Sequence, residues 1–171
     1  MEAIFLKTIN NILSYEGELS LDPDDGGNWT GGKPGLGELL GTKWGLSATQ
    51  YPQLDIKSIS RDQAVSIYYR DYWDGKMLTS LPPQIAACVL DTAINMGSGT
   101  AIRLLQSVVG TEQDGVIGPN TIHAAQSIDQ DELVPQFLAA RALHYAGLKT
   151  FGKYGKGWYA RLFKLARDTL R

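Results

Sequence analysis

A mainly α fold, a helical bundle interrupted by one long glycine-rich loop or small hairpin, is what this chain predicts. Three observations point there. Apolar residues recur at helical spacing over residues 2–15 and over most of residues 60–170. The breaks between those stretches are short and carry helix start and stop signals. Only residues 17–59, rich in Gly, Pro and Asp, lack a helical period, and a loop of that length in a compact domain is usually functional or hides short strands.

The elements follow in order. Residues 2–15 form an amphipathic helix with Phe5, Leu6, Ile9, Ile12 and Leu13 on one stripe. After the long loop, Ser60-Arg61-Asp62-Gln63 is a capping box that starts a helix running through Tyr72. Leu81-Pro82-Pro83 breaks the chain, and a buried helix runs from about Gln84 to Met96 and stops at Gly97. A further helix covers 100–109 with Leu104, Leu105 and Val108 inward. Pro119 suits the first turn of the next helix. Asp129 caps a helix from 130 to about 146 that is expected to bury Leu133, Phe137, Ala140 and Leu143. The glycine-rich piece Gly152–Gly157 then precedes a last helix over 158–170.

The 171 residues form one domain, or one domain with a small subdomain, and are long enough to bury a core without covalent staples. With 43% hydrophobic and 20% charged residues the composition is that of a globular protein. The net charge of −2 gives no sign of a nucleic-acid partner or of a strong pull toward anionic membranes. Cys88 is the one cysteine, so no intrachain disulfide forms, and its apolar run Ile85–Leu90 marks it as a buried thiol. His123 and His144 are isolated, and no metal-ligand spacing appears. No metal or cofactor is expected. The first residues, Met1–Lys7, do not read as a signal peptide, and no apolar run is long enough for a membrane span.

The chemistry concentrates in Tyr15-Glu16-Gly17-Glu18-Leu19-Ser20-Leu21-Asp22-Pro23-Asp24-Asp25-Gly26-Gly27. Glycosidic bond cleavage needs one carboxyl that holds a proton and one that stays ionised. Glu16, beside Tyr15 at a helix end, has a setting that favours the neutral acid. Asp25, in a polar turn beside two glycines, has the setting of an ionised carboxylate, although the same string is also a plain turn former. Close-set oxygen ligands suggest calcium, but the twelve-residue loop with a closing Glu is missing.

The order of motifs resembles the glycoside hydrolase family 108 muramidases, phage endolysins and related bacterial enzymes that cut peptidoglycan. It is carried by Glu16-Gly17, Asp22-Pro23-Asp24-Asp25-Gly26-Gly27 and Thr42-Lys43-Trp44-Gly45-Leu46. It continues through Tyr72-Trp73, Asp91…Asn95-Met96-Gly97, Leu105-Gln106, Asp114-Gly115-Val116-Ile117-Gly118-Pro119 and Gly157-Trp158. Two departures stand out: Glu18 occupies a position the family usually gives to Gly, and residues 28–41 are an insertion, so both Thr30 and Thr42 are candidates for one catalytic position. Thr42 is preferred because the aromatic-Gly-aliphatic tail goes with it. Glu18 and Glu38 remain as extra carboxylates.

The resemblance implies a single lysozyme-like domain over 1–171, with a catalytic part at 1–97 and a helical peptidoglycan-binding-like part at 98–171. It implies an N-acetylmuramidase in which Glu16 protonates the leaving oxygen, Asp25 stabilises charge or helps activate water, and Thr42 holds that water. A carboxyl gap of about 6.5–9.5 Å goes with inversion and about 5 Å with retention; the Glu-Asp-Thr order, similar to the phage-type lysozymes, favours inversion. Trp29 and Trp44 are candidate sugar-stacking residues, although most aromatics are core. Asn95, four residues from Asp91 on one helix face, either binds an acetamido group or satisfies buried backbone. The Asp114–Pro119 run resembles the signature of small peptidoglycan-binding modules. The expected partner is the glycan strand, the expected state a monomer, and the expected place of action the cell wall after release or export from the cytoplasm. The rival functions are a wall-binding or secretion-accessory protein without catalysis and a lytic transglycosylase.

Overall fold

The computed structural model describes residues 2–14 and 18–169. Among these are seven α-helices: α1 (Ala3–Leu13), α2 (Arg61–Tyr68), α3 (Pro83–Met96), α4 (Ser98–Val109), α5 (Pro119–Gln126), α6 (Gln130–Ala146) and α7 (Phe151–Thr169). A single antiparallel pair, β1 (Thr42–Lys43) with β2 (Leu46–Ser47), is the small hairpin expected inside the long loop. The chain divides into two compact units, one of residues 9–68 and one of residues 1–8 with 69–171. No described helix is long and apolar enough to cross a membrane.

The larger unit is built around α3, which is buried on all sides from Ile85 to Ala93 because its neighbours α4, α6 and α7 pack against it. Cys88 sits at its centre, and burial pushes the thiol up to about 12, the behaviour of an inert core side chain. One polar cluster crosses this apolar core. Arg141 of α6 is fully buried and donates to Asp91 of α3 at 2.7 Å, while Arg161 of α7 reaches the other Asp91 oxygen at 3.0 Å. The Arg141 guanidinium also donates to the Tyr145 hydroxyl, which in turn donates to Asn95 at 2.6 Å. Three helices are thereby tied to one carboxylate.

That cluster explains a difference from the sequence reading. Leu143, expected inside, is 75% exposed. The buried face of α6 is Leu133, Val134, Phe137, Leu138, Arg141 and Tyr145, a face rotated toward Arg141. An ion pair with three further hydrogen bonds through Tyr145 outweighs one leucine. The last helix also starts earlier than expected, at Phe151, so the Gly152–Gly157 piece is helical. Helix propensity opposes this by about 1 kcal/mol per glycine. Packing overrides it: a Cβ on Gly155 would lie 2.6 Å from the Phe151 ring, and Trp158 stacks on Tyr145 with ring centres 5.0 Å apart.

The turn Asp114–Pro119 is held by Gln106 of α4. Its amide nitrogen donates to the Asp114 carboxylate (2.6 Å) and to Val116 O (2.9 Å), and its oxygen accepts from Gly115 N (2.9 Å). The Gln106 hydrogen bond, with that from the Val116 amide, holds the Asp114 carboxyl below its usual range. Pro119 opens α5 as expected, and Asp129 caps α6 through Asp131 N at 2.8 Å.

In the smaller unit the capping box forms as read: Ser60 N donates to Gln63 Oε1 and Gln63 N to Ser60 Oγ. The helix it starts stops at Tyr68, and the chain continues as a π-helical turn, Tyr69–Asp74, in the larger unit. Ile9, Ile12, Leu13, Leu46, Ile56, Ile59, Val65 and Tyr68 form the smaller unit's core.

Removing Arg141 leaves a buried carboxylate with half its partners. Arg141→Leu is expected to lower unfolding stability by about 3 kcal/mol, read as a shift of the urea midpoint.

Candidate functional site

Most of the expected site residues fall on the loop of the smaller unit, and that loop is a built structure. Asn28 is its hub. The side chain is fully buried, and its Nδ2 donates to Asp22 O (3.0 Å) and Ser20 Oγ (3.3 Å). Its backbone N–H donates to Asp25 O, and its carbonyl accepts from both Leu40 N and Gly41 N. One residue thus joins the Asp22–Asp25 turn to the segment that leads into Thr42. Among the described residues its Oδ1 has no partner.

Asp25 caps the 3₁₀ turn Gly26–Asn28, with Oδ1 accepting from Gly27 N at 2.8 Å. It is exposed, and its other oxygen, Oδ2, has no hydrogen-bond partner among the described residues. Thr42 lies on β1. Its backbone pairs with Ser20 in both directions (2.9 and 3.0 Å) and with Ser47 across the hairpin. Its hydroxyl makes no hydrogen bond to any described residue. Thr30 differs: its hydroxyl accepts from Glu38 N at 2.9 Å and holds the residue 28–41 insertion closed. Asp25 and Thr42 therefore share one frame, with Asn28 and Ser20 as the links.

Glu16 and Tyr15 lie outside the described residues. Trp29 is half-buried; its indole N–H donates to Pro23 O at 2.8 Å, so the ring is latched to the acidic turn. Trp44 occupies the first position of the two-residue hairpin turn, at φ 54, followed by Gly45 at φ 75. Two positive φ values are the type I′ pattern, which favours Asn-Gly and is uncommon for a bulky residue. Tyr68 Oη holds the Trp44 carbonyl at 3.1 Å. The indole N–H is buried without a partner among the described residues, so Trp44 carries both backbone strain and an unsatisfied donor. Asn95 belongs to the other unit, where it accepts from Tyr145 and extends the Asp91 cluster.

Sequence reasoning missed two frame residues. Asn28 reads as an ordinary turn residue until its burial is seen. Thr49 follows the hairpin and its hydroxyl lies 2.8–3.2 Å from the carbonyls of Gly26, Gly27 and Trp29. The only signal for either is a small polar residue beside a glycine-rich turn, which is too common to select them. A separate groove of about 450 Å³ is lined by Leu54, Asp55, Ser58, Ile59, Asp62, Gln63, Ser66 and Ile67 and contains none of the expected residues. Its Asp55 is engaged by Ser58 Oγ at 2.7 Å, a bond that lowers its protonation range. No group of three or more His, Cys, Asp or Glu among the described residues is placed to hold a metal.

The family model described as Glycosyl hydrolase 108 matches residues 9–97, and that described as Predicted Peptidoglycan domain matches residues 100–163. The solved structure of Brucella abortus SagA is similar over 97% of this chain and 93% of that one, with a TM-score of 0.79 and 29% identity. None of the curated proteins matches the chain.

The insertion depends on a close approach. A Cβ on Gly37 would overlap the Thr30 hydroxyl at a backbone angle of φ +81, whereas Gly35, at φ +78, has open space around it. Gly35→Ala is expected to cost about 1 kcal/mol from the backbone angle alone. Gly37→Ala is expected to cost at least about 1 kcal/mol more, read by urea denaturation of the two variants side by side.

Proposed function

The chain belongs to the glycosyl hydrolase 108 family, and on that premise we propose that it is an N-acetylmuramidase that hydrolyses the β-1,4 bond between N-acetylmuramic acid and N-acetylglucosamine. It is a glycoside hydrolase whose partner is peptidoglycan. The observation that carries the finer reading is the Asn28 frame, because it presents an Asp25 oxygen and a Thr42 hydroxyl that no described side chain engages. Both lie in the segment that matches the glycosidase family.

In this reading Glu16 gives its proton to the bridging oxygen as the bond to the leaving sugar breaks. Positive charge then grows on the ring of the remaining sugar, and Asp25 supports it. Water adds at the anomeric carbon, held by the Thr42 hydroxyl and deprotonated toward Asp25, so the anomeric configuration inverts. Trp29 and Trp44 offer ring faces to the sugars. No cofactor enters the scheme. The protein acts as a monomer on the wall, which it reaches after release or export.

Two variants test the roles. Glu16→Gln keeps the shape of the side chain and removes the acid. Asp25→Asn keeps the cap oxygen for Gly27 and removes the charge. Each is expected to lower the release of reducing ends from purified peptidoglycan by at least about 100-fold, with circular dichroism unchanged. Wild-type rates in Glu16→Gln would refute the assignment. Anhydro-sugar products from the wild type would instead identify a transglycosylase, and sacculus binding without any product a non-catalytic binder.

A further inference from the structure

The net charge of −2 hides a division along the chain. Residues 147–171 hold seven Lys or Arg against one Asp, a net of +6, while residues 1–146 hold nine against seventeen, a net of −8. Charge asymmetry of this kind points to an anionic surface as partner. The structure shows how the positive end is displayed. Helix α7 is 19 residues long, about 28 Å. Its inward face is Gly155, Leu162, Leu165 and Thr169. At helical spacing on the opposite side stand Lys153, Lys156, Lys164 and Arg167, the last paired with Asp168 at 2.9 Å. Lys7 adds a further positive charge at the C-terminal end, where its Nζ donates to Asp168 O at 2.9 Å.

Apolar side chains lie beside that stripe. Phe163 is 69% exposed and neighbours Lys156 and Arg167 on the helix circumference. Its ring meets the edge of Tyr159 at 6.1 Å, and the Tyr159 hydroxyl donates to Ala142 O of α6, next to the exposed Leu143. Phe163 and Leu143 are each exposed on adjoining helices, and exposed apolar side chains rimmed by charge mark contact surfaces.

We propose that the basic outer face of α7, with Phe163 and Leu143 at its edge, docks the protein on an anionic phospholipid bilayer. Lysine and arginine meet the headgroup phosphates. Phe163 and Leu143 enter the headgroup–acyl boundary, which is the geometry of an interfacial amphipathic surface. A soluble polyanion complements the cations and leaves the two apolar side chains in water, so the bilayer accounts for both halves of the surface. The proposal stands apart from the glycosidase reading, because a vesicle contains no glycan to cleave.

The test is co-sedimentation of the full chain with vesicles of phosphatidylglycerol mixed into phosphatidylcholine, compared with pure phosphatidylcholine. Wild type is expected to pellet with the anionic vesicles at low salt and to be released, with at least ~10-fold weaker binding, by about 0.5 M NaCl. Replacing Lys153, Lys156, Lys164 and Arg167 together by Gln is expected to weaken binding about 100-fold or more. Phe163→Ser, a change at an exposed position, is expected to weaken it several-fold while leaving the salt dependence. Failure of the wild type to bind anionic vesicles overturns the proposal, and so does undiminished binding by the fourfold variant. Equally tight binding to soluble poly(glycerol phosphate), with no effect of Phe163→Ser, assigns the face to a polyanion and also overturns it.

Discussion

The acidic loop depends on one buried amide. A stretch of about forty residues with two short strands and many glycines buries only a few apolar side chains, Leu46, Ala48, Ile56 and Ile59, so much of its order comes from directed hydrogen bonds. Asn28 supplies the central ones. With its side chain it holds the carbonyl of Asp22, and with its backbone it holds Asp25 on one side and Leu40 and Gly41 on the other. Thr49 closes the same turn from behind. A carboxylate and a hydroxyl far apart in sequence become two points on one rigid frame, and that preorganisation is what a hydrolytic site requires.

The larger unit solves a different problem. Its helices have ample apolar surface, and packing around α3 supplies the stability. What apolar packing lacks is a fixed register, and the Asp91–Arg141–Arg161 cluster provides it by joining three helices at one carboxylate. Gln106 does the same for the Asp114–Pro119 turn, satisfying a backbone amide, a carbonyl and a carboxylate with a single side chain. In both units a polar side chain with several partners decides the local geometry, and the hydrophobic residues around it fill the space.

Much of this was legible in the sequence, for identifiable reasons. Helix ends carry chemistry that acts locally, so the Ser60–Gln63 box, the Asp129 cap and Pro119 could be read directly and appear in place. The hairpin was legible as a glycine-rich gap in the helical period. What escaped depended on partners distant in the chain. Nothing near Arg141 says that Asp91 draws it inward, so the buried face of α6 was placed around Leu143. Gly155 is a local exception: the Phe151 ring one turn before it needs the missing Cβ, but a glycine-rich string reads as a break in the helix. Asp25 was legible as a turn-forming carboxylate, but its tie to Thr42 runs through Asn28, whose importance is burial alone. The whole-chain charge concealed the basic end of the molecule because averaging over residues erases a helix face.

The central claim, that Asn28 locks the acidic turn to the segment entering Thr42, is tested most directly by native-state amide hydrogen exchange in the variant Asn28→Ala. The account predicts that the amides of Gly27, Leu40, Gly41 and Thr42 lose protection together, by about 10- to 100-fold, while Leu90 in α3 exchanges as in the wild type. Unchanged protection at Leu40 and Gly41 in that variant would contradict it.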